Sequence, residues 1–194
     1  MRFLATLALA ASLPFAVQAA VVQEGSTQVG DTNNILGVRG TSIASDNPAY
    51  DPTPTGIASD WVWLGDINDN DFASFEMTFD LTGFDVSTAS LFGFWGVDNA
   101  GVITLNGTQI AELSGLSELN FAALSPYGTF DSSLFLAGEN SLRFELQDLG
   151  GPAAFRATAR VTAEPLSAVP LPAGAPLLLA GIAGLALLRS RRQR

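Results

Sequence analysis

The chain has 194 residues with nine arginines, no lysine, nineteen carboxylates, and neither cysteine nor histidine. One domain of ordinary size fits that length, and the composition removes disulfides, thiolate nucleophiles, most zinc sites, Ser-His-Asp triads, Schiff-base lysines and P-loop lysines together. All nineteen carboxylates fall between Glu24 and Glu164, where only Arg39, Arg143, Arg156 and Arg160 oppose them; so acidic a middle repels nucleic acid and suits solubility and divalent cations.

Met1 to Ala19 reads as a secretory signal. Arg2 supplies the positive n-region, Phe3 to Leu13 the apolar h-region, and Pro14 a break before the small-residue site Val17-Gln18-Ala19. The apolar run is shorter than the roughly 20 residues of a spanning helix. Val17 and Ala19 therefore mark a cleavage site, with Sec export machinery and a signal peptidase as the expected partners.

Residues 20–164 form the expected exported domain. Val21 to Gly56 is rich in Gly, Ser, Thr, Asn, Asp and Pro and reads as a short edge strand followed by loop; prolines at 48, 52 and 54 keep Asn47 to Pro54 out of a sheet. From Trp61 the pattern turns to period two. Phe75, Met77, Phe79 and Leu81 alternate with Glu76, Thr78 and Asp80, which places four large apolar residues on one face of a strand. Leu91 to Val97 follows the turn Thr82-Gly83, and Val102 to Leu105 follows Asp98-Asn99-Ala100-Gly101. Asn106-Gly107 is a hairpin dipeptide tolerant of positive φ, with Thr108 to Leu113 as the return strand. Ser133 to Leu136 leads to Gly138-Glu139-Asn140; Leu142, Phe144 and Leu146 then alternate with Arg143 and Glu145. After Gly150-Gly151-Pro152 the last strand carries Phe155, Ala157, Ala159 and Val161 on one side and Arg156, Thr158 and Arg160 on the other. About eight short strands, turn signals about every eight to twelve residues and no helical pattern predict an all-β sandwich or jelly roll.

Three groups within this domain have chemical potential. The run Asp66-Ile67-Asn68-Asp69-Asn70-Asp71 concentrates the hard oxygen donors that calcium takes. It is not an EF-hand, because Asp71 stands where the turn glycine belongs and Met77 where the bidentate glutamate belongs. Asp66, Asn68, Asp69 and Asp71 are thus candidate ligands of a single-loop or composite structural Ca2+ site, with a solvated turn as the commoner use of such residues. Trp61, Trp63 and Trp95 offer indole faces for stacking against a pyranose, with Asp98 to bond its hydroxyls; the commoner use of large aromatics is to fill the core, and of Asp98-Asn99 to make a turn. Paired carboxylates for glycosidic cleavage have no distinguishing spacing here, and a Ser or Thr nucleophile has neither His nor Lys as its base. No catalytic residue is assigned.

Residues 165–194 hold a Pro-rich linker, Val169-Pro170-Leu171-Pro172-Ala173, an apolar segment and a basic end with Arg189, Arg191, Arg192 and Arg194. Basic residues after an uncharged run place the C-terminus in the cytoplasm. Prolines 170, 172 and 176 leave Leu177 to Leu188 as the helix, about 18 Å long against a hydrocarbon core of about 30 Å, a short anchor with the logic of a signal that is cut and replaced. An ordinary single-pass anchor with a Pro-rich stalk is the alternative.

Motif, apolar segment and arginine cluster, in that order at the extreme C-terminus, resemble the VPLPA variant of the PEP-CTERM sorting signal. The resemblance implies recognition by an exosortase-like transpeptidase, transient anchoring in the inner membrane, delivery to the cell surface or beyond, and association with exopolysaccharide or biofilm. Within the domain, Trp95 to Gly101, Leu105-Asn106-Gly107 and Leu136 to Leu146 follow the order of features in a galactose-binding-like jelly roll, and Thr78 to Leu91 is similar to a passage of several PEP-CTERM proteins. The leading expectation is a non-catalytic surface or matrix protein; a carbohydrate-binding lectin-like module is the alternative, and a carboxylate hydrolase a more distant one.

Overall fold

The computed structural model describes residues 18–65, 72–115, 119–166 and 189. The expectations for Val17, for the calcium ligands Asp66, Asn68, Asp69 and Asp71, for the motif Val169 to Ala173, for the apolar segment Leu177 to Leu188, and for Arg191, Arg192 and Arg194 fall outside those residues. Among the described residues no helix is long and apolar enough to cross a membrane.

Period-two sequence builds the centre of each sheet. In β5 (Phe72–Asp80) Ala73, Phe75, Met77 and Phe79 are buried while the even-numbered residues face outward. It pairs antiparallel with β10 (Glu139–Gln147), where Leu142, Phe144 and Leu146 point the same way inward, and Phe144 lies opposite Phe75. The other side of β10 takes β7 (Ala100–Leu105), which turns through Asn106 and Gly107, both at positive φ, into β8 (Thr108–Leu113). The short β2 (Leu36–Gly37) closes the far edge, so this five-stranded sheet runs β2-β5-β10-β7-β8.

The opposing sheet has six strands. Its long pair is β6 (Phe84–Asp98) against β11 (Ala154–Pro165), in register from Ala154 and Asp98 at one end to Pro165 and Phe84 at the other, with one irregularity between Thr162 and Glu164. Outside β6 lies β9 (Ser125–Thr129); beside β11 lie β4 (Val62–Leu64), β3 (Ser42–Ala44) on its edge, and β1 (Ala20–Ser26). The edge strand expected at the start of the domain is thus present, and two short strands interrupt the loop that follows it. A 3-10 turn, Ser132–Leu134, capped by Asp131, whose carboxylate accepts the Ser133 N–H at 3.0 Å, occupies the passage before β10.

The fold is an all-β, jelly-roll-type sandwich of two antiparallel sheets. Its core is an aromatic stack: Phe75 and Phe155 meet across the sheets with centroids 4.8 Å apart, Phe155 and Phe144 at 5.1 Å, and Tyr127 stands edge-on to Phe144 at 5.8 Å. Such pairs add about 0.5–1.5 kcal/mol each beyond the area they bury. Gly93 is required where it sits, since a methyl group there would run into the Thr158 carbonyl and the Tyr127 ring. The domain therefore closes its interior without a disulfide.

Candidate functional site

The three tryptophans divide. Trp63 and Trp95 are fully buried, at 0% and 1% exposure, so neither presents a face to a sugar; they fill the core, and the stacking role considered for them is corrected. Trp61 is half-buried just before β4. Its ring stacks on Tyr50 at 4.8 Å, and its Nε1 donates to the Asp51 carbonyl at 2.9 Å. The two-residue spacing of Trp61 and Trp63 therefore does not make a shared platform.

Asp98 is also unavailable as a glycan contact. It is 5% exposed at the end of β6, with Asn99 Nδ2 donating to its Oδ1 at 2.6 Å and the Tyr50 hydroxyl 3.3 Å from Oδ2. Asp148, 2% exposed just after β10, adds a second acid to the same end of the sandwich; its Oδ1 accepts the Gly150 N–H at 3.0 Å, and its Oδ2 is buried with no hydrogen-bond partner. Burial, reinforced by the charge of Asp148, pushes the Asp98 carboxyl up to about 6 against the hydrogen bonds from Tyr50 and Asn99. Burial likewise raises Asp148 and drives the Tyr50 hydroxyl upward. Carboxyls raised this way are what an acid-base search looks for, yet both are enclosed and present no oxygen to a polymer outside. Among the described residues no group of three or more acidic side chains is placed to hold a metal ion.

What the fold leaves open is a groove of about 550 Å3 on the outer face of the five-stranded sheet. The register builds it row by row: Phe72 lies opposite Gln147 and Gln147 opposite Ala100; in the next row Ser74, Glu145, Val102 and Glu112 follow one another across β5, β10, β7 and β8. Ser114 and Gly115 close one end. Phe72 is 73% exposed, the largest outward aromatic on this sheet, and it stands at the start of β5, where the strand phase sends even-numbered residues to solvent. Glu112 and Glu145 are exposed and Gln147 is half-buried, so carboxylate oxygens and an amide surround an apolar floor made by Ala100 and Val102. Among the described residues no arginine lines the groove itself, and Arg143 stands beside it with Nε 3.4 Å from Glu145 Oε1. That set suits a neutral, hydroxyl-rich ligand with one apolar face: carboxylates accept from hydroxyls, the amide does both, and the phenyl ring covers C–H groups.

Sequence reasoning missed this groove because Glu112 and Glu145 meet only through register, one strand apart on each side of β7. Phe72 did carry a signal, an aromatic in the outward phase of an otherwise amphipathic strand.

No family model matches the chain, and no curated protein matches it. Among solved structures, the chain is similar to a family 35 carbohydrate-binding module from an environmental isolate, at 13% identity and TM-score 0.38 over 73% of this chain and 99% of that one. It is similar to a family 35 module from Cellvibrio japonicus Abf62, at 13% identity and TM-score 0.39 over 77% and 100%. A Stig cyclase from Fischerella sp. TAU aligns at 17% identity and TM-score 0.40 over 80% of this chain and 92% of that one.

Proposed function

We propose that the chain is an exported, non-catalytic surface protein whose sandwich binds a neutral glycan in the Phe72 groove. The observation that carries the reading is the exposed Phe72 ring on β5 beside Glu145, Gln147 and Glu112, in a groove that no described arginine lines. An open groove on a sheet accepts a stretch of polymer and needs no chain end. The signal segment and the Val169 to Ala173 motif support the rest of the reading: export through the Sec machinery, sorting by an exosortase-like transpeptidase, and residence at the cell surface or among exopolysaccharide. The non-catalytic part rests on the enclosure of the raised acids Asp98 and Asp148.

The test is affinity electrophoresis of the mature protein through gels containing neutral plant and bacterial polysaccharides. At least one polymer retards the wild type, Phe72→Ala weakens that retardation about tenfold, which corresponds to about 1.4 kcal/mol, and Glu145→Gln weakens it less. Equal retardation of wild type and Phe72→Ala, or none with any polymer, overturns the groove assignment. Release of reducing ends by the wild type overturns the non-catalytic reading.

A further inference from the structure

We infer that the domain carries a second sugar site, a recess for a single neutral pyranose on the six-stranded sheet, under the loop that connects β3 to β4. The inference rests on the glycan-binding reading but not on the Phe72 groove. The recess, about 430 Å3, is lined by Asp46, Asp60, Trp61 and Arg156, with Ser59, Pro52, Ala44 and Val29 completing it.

The floor is a buried cation. Arg156 is 6% exposed on β11, and it donates from Nε to Ser59 Oγ at 2.9 Å, from Nη1 to the Asp51 carbonyl at 2.7 Å and from Nη2 to the Thr53 carbonyl at 3.1 Å. A guanidinium has five N–H groups in a fixed fork, so two remain beyond those three bonds. The wall is Trp61, whose ring is held by Tyr50 and by its bond to Asp51 and so is pre-positioned at no cost on binding. The rim is two exposed carboxylates, Asp46 and Asp60. The backbone of Asp60 is fixed by bonds in both directions with Thr27, at 2.9 Å from its N–H and 2.7 Å to its carbonyl, and Oδ2 of its exposed carboxylate accepts the Val29 N–H at 3.4 Å, which orients it on the rim.

The chemistry selects the ligand. Donors at the bottom, acceptors at the rim and an indole at the side match a ring of hydroxyls with a C–H face. Two carboxylates against one guanidinium make the recess net negative, so a uronate or other anion is disfavoured and a neutral sugar is taken. The recess is the smaller of the two, about 430 Å3 against about 550 Å3, and takes one residue, such as a chain end, where the Phe72 groove takes a stretch of chain. The two sites open on opposite sheets, so no single sugar touches both, and one domain holds two glycan strands.

Trp61 is the half-buried indole, while Trp63 and Trp95 are in the core, so indole fluorescence reports the recess. The full exported protein is titrated with the methyl glycosides of glucose, galactose, mannose and xylose, and with glucuronate. The expected result is a saturable change with at least one neutral glycoside, weaker by about tenfold with Asp60→Asn and with Asp46→Asn, unchanged by Phe72→Ala, and smaller with glucuronate. No saturable change with any glycoside, insensitivity to both Asp46→Asn and Asp60→Asn, or loss on Phe72→Ala overturns the inference. Because polymer retardation reads Phe72 and fluorescence reads Trp61, a silent recess with a working groove defeats only the second site, and a working recess with a silent groove defeats only the first.

Discussion

The central strands β10 and β11 have similar alternating sequences and opposite fates. In β10 buried and outward residues take turns, whereas in β11 every residue from Ala154 to Ala159 is buried. The difference lies outside the strands. Among the described residues nothing covers the outer face of the five-stranded sheet, while on the other sheet the loop between β3 and β4, with the segment around Asn120 to Leu124, covers the outer side of β11 and the end of β6. Tyr50, Trp61 and Phe121 cluster there, and the Leu124 N–H donates to the Asp51 carboxylate at 2.8 Å. Backbone laid over a sheet brings carbonyls out of water, and buried carbonyls require donors. Arg156 supplies two of them, to Asp51 and Thr53, and donates a third N–H to the Ser59 hydroxyl. One face of the molecule is thus structural cover with a recess in it, and the other is a rigid open surface.

The largest consequence is for Arg156. Replacing it with methionine keeps the packing stem but leaves the Thr53 carbonyl and Ser59 without that donor and the Asp51 carbonyl with Trp61 Nε1 alone, and about 3 kcal/mol of unfolding free energy is lost. Arg143, in the equivalent outward phase of β10, is 43% exposed and 3.4 Å from Glu145; Arg143→Met costs about 0.5 kcal/mol or less. Urea denaturation of the two variants measures the contrast, and equal losses would show that the loop is not held by Arg156.

Next comes the acid end beneath the loop. Because the folded-state pKa of Asp98 is raised from 3.8 to about 6, the protonated form is favoured in the folded protein. The stability this contributes is fully present below pH 4 and is lost as pH rises through 6. Asp148 acts in the same direction. Between pH 4 and pH 7 the stability that Asp98 supplies falls by an amount on the order of 2 kcal/mol, and Asp98→Asn flattens that part of the profile. A profile in which Asp98→Asn leaves the slope between pH 4 and 7 unchanged would contradict the placement of Asp98.

The smallest effect on stability belongs to the open face. Phe72→Ala removes a ring that is 73% exposed, and thermal unfolding shifts by no more than about 0.5 kcal/mol in free-energy terms. A larger loss would mean that the ring is a packing element and would weaken its assignment to ligand.

How much of this was legible depended on which face was read. The alternation of β5 and β10 and the Asn106-Gly107 turn are direct consequences of side-chain period and positive-φ tolerance, and the sequence carries them plainly. β9 was not legible, because Ser125-Pro126-Tyr127-Gly128-Thr129 has the residues of a turn; it is a strand since it lies on the edge of the sheet, where Pro126 needs no ladder donor on its open side. The indoles were identified as chemistry by type, yet burial of Trp63 and Trp95 is a property of two sheets closing, which no local pattern states. Arg156 read as the solvent side of β11 for the same reason: the loop that buries it is about 100 residues away in sequence, a separation over which period-two patterning carries no information.

Binding of a neutral glycan to the outer face of the five-stranded sheet can be read residue by residue. The most direct measurement is amide chemical-shift mapping of the labelled protein as the polymer found by gel retardation, cut to short oligosaccharides, is added. The expected shifts are confined to the strand ends around Phe72, Ser74, Val102, Glu112, Glu145 and Gln147, with any second set at Asp60 and Trp61. Shifts absent from the first group, or concentrated on β9 and the outer side of β6, would contradict it.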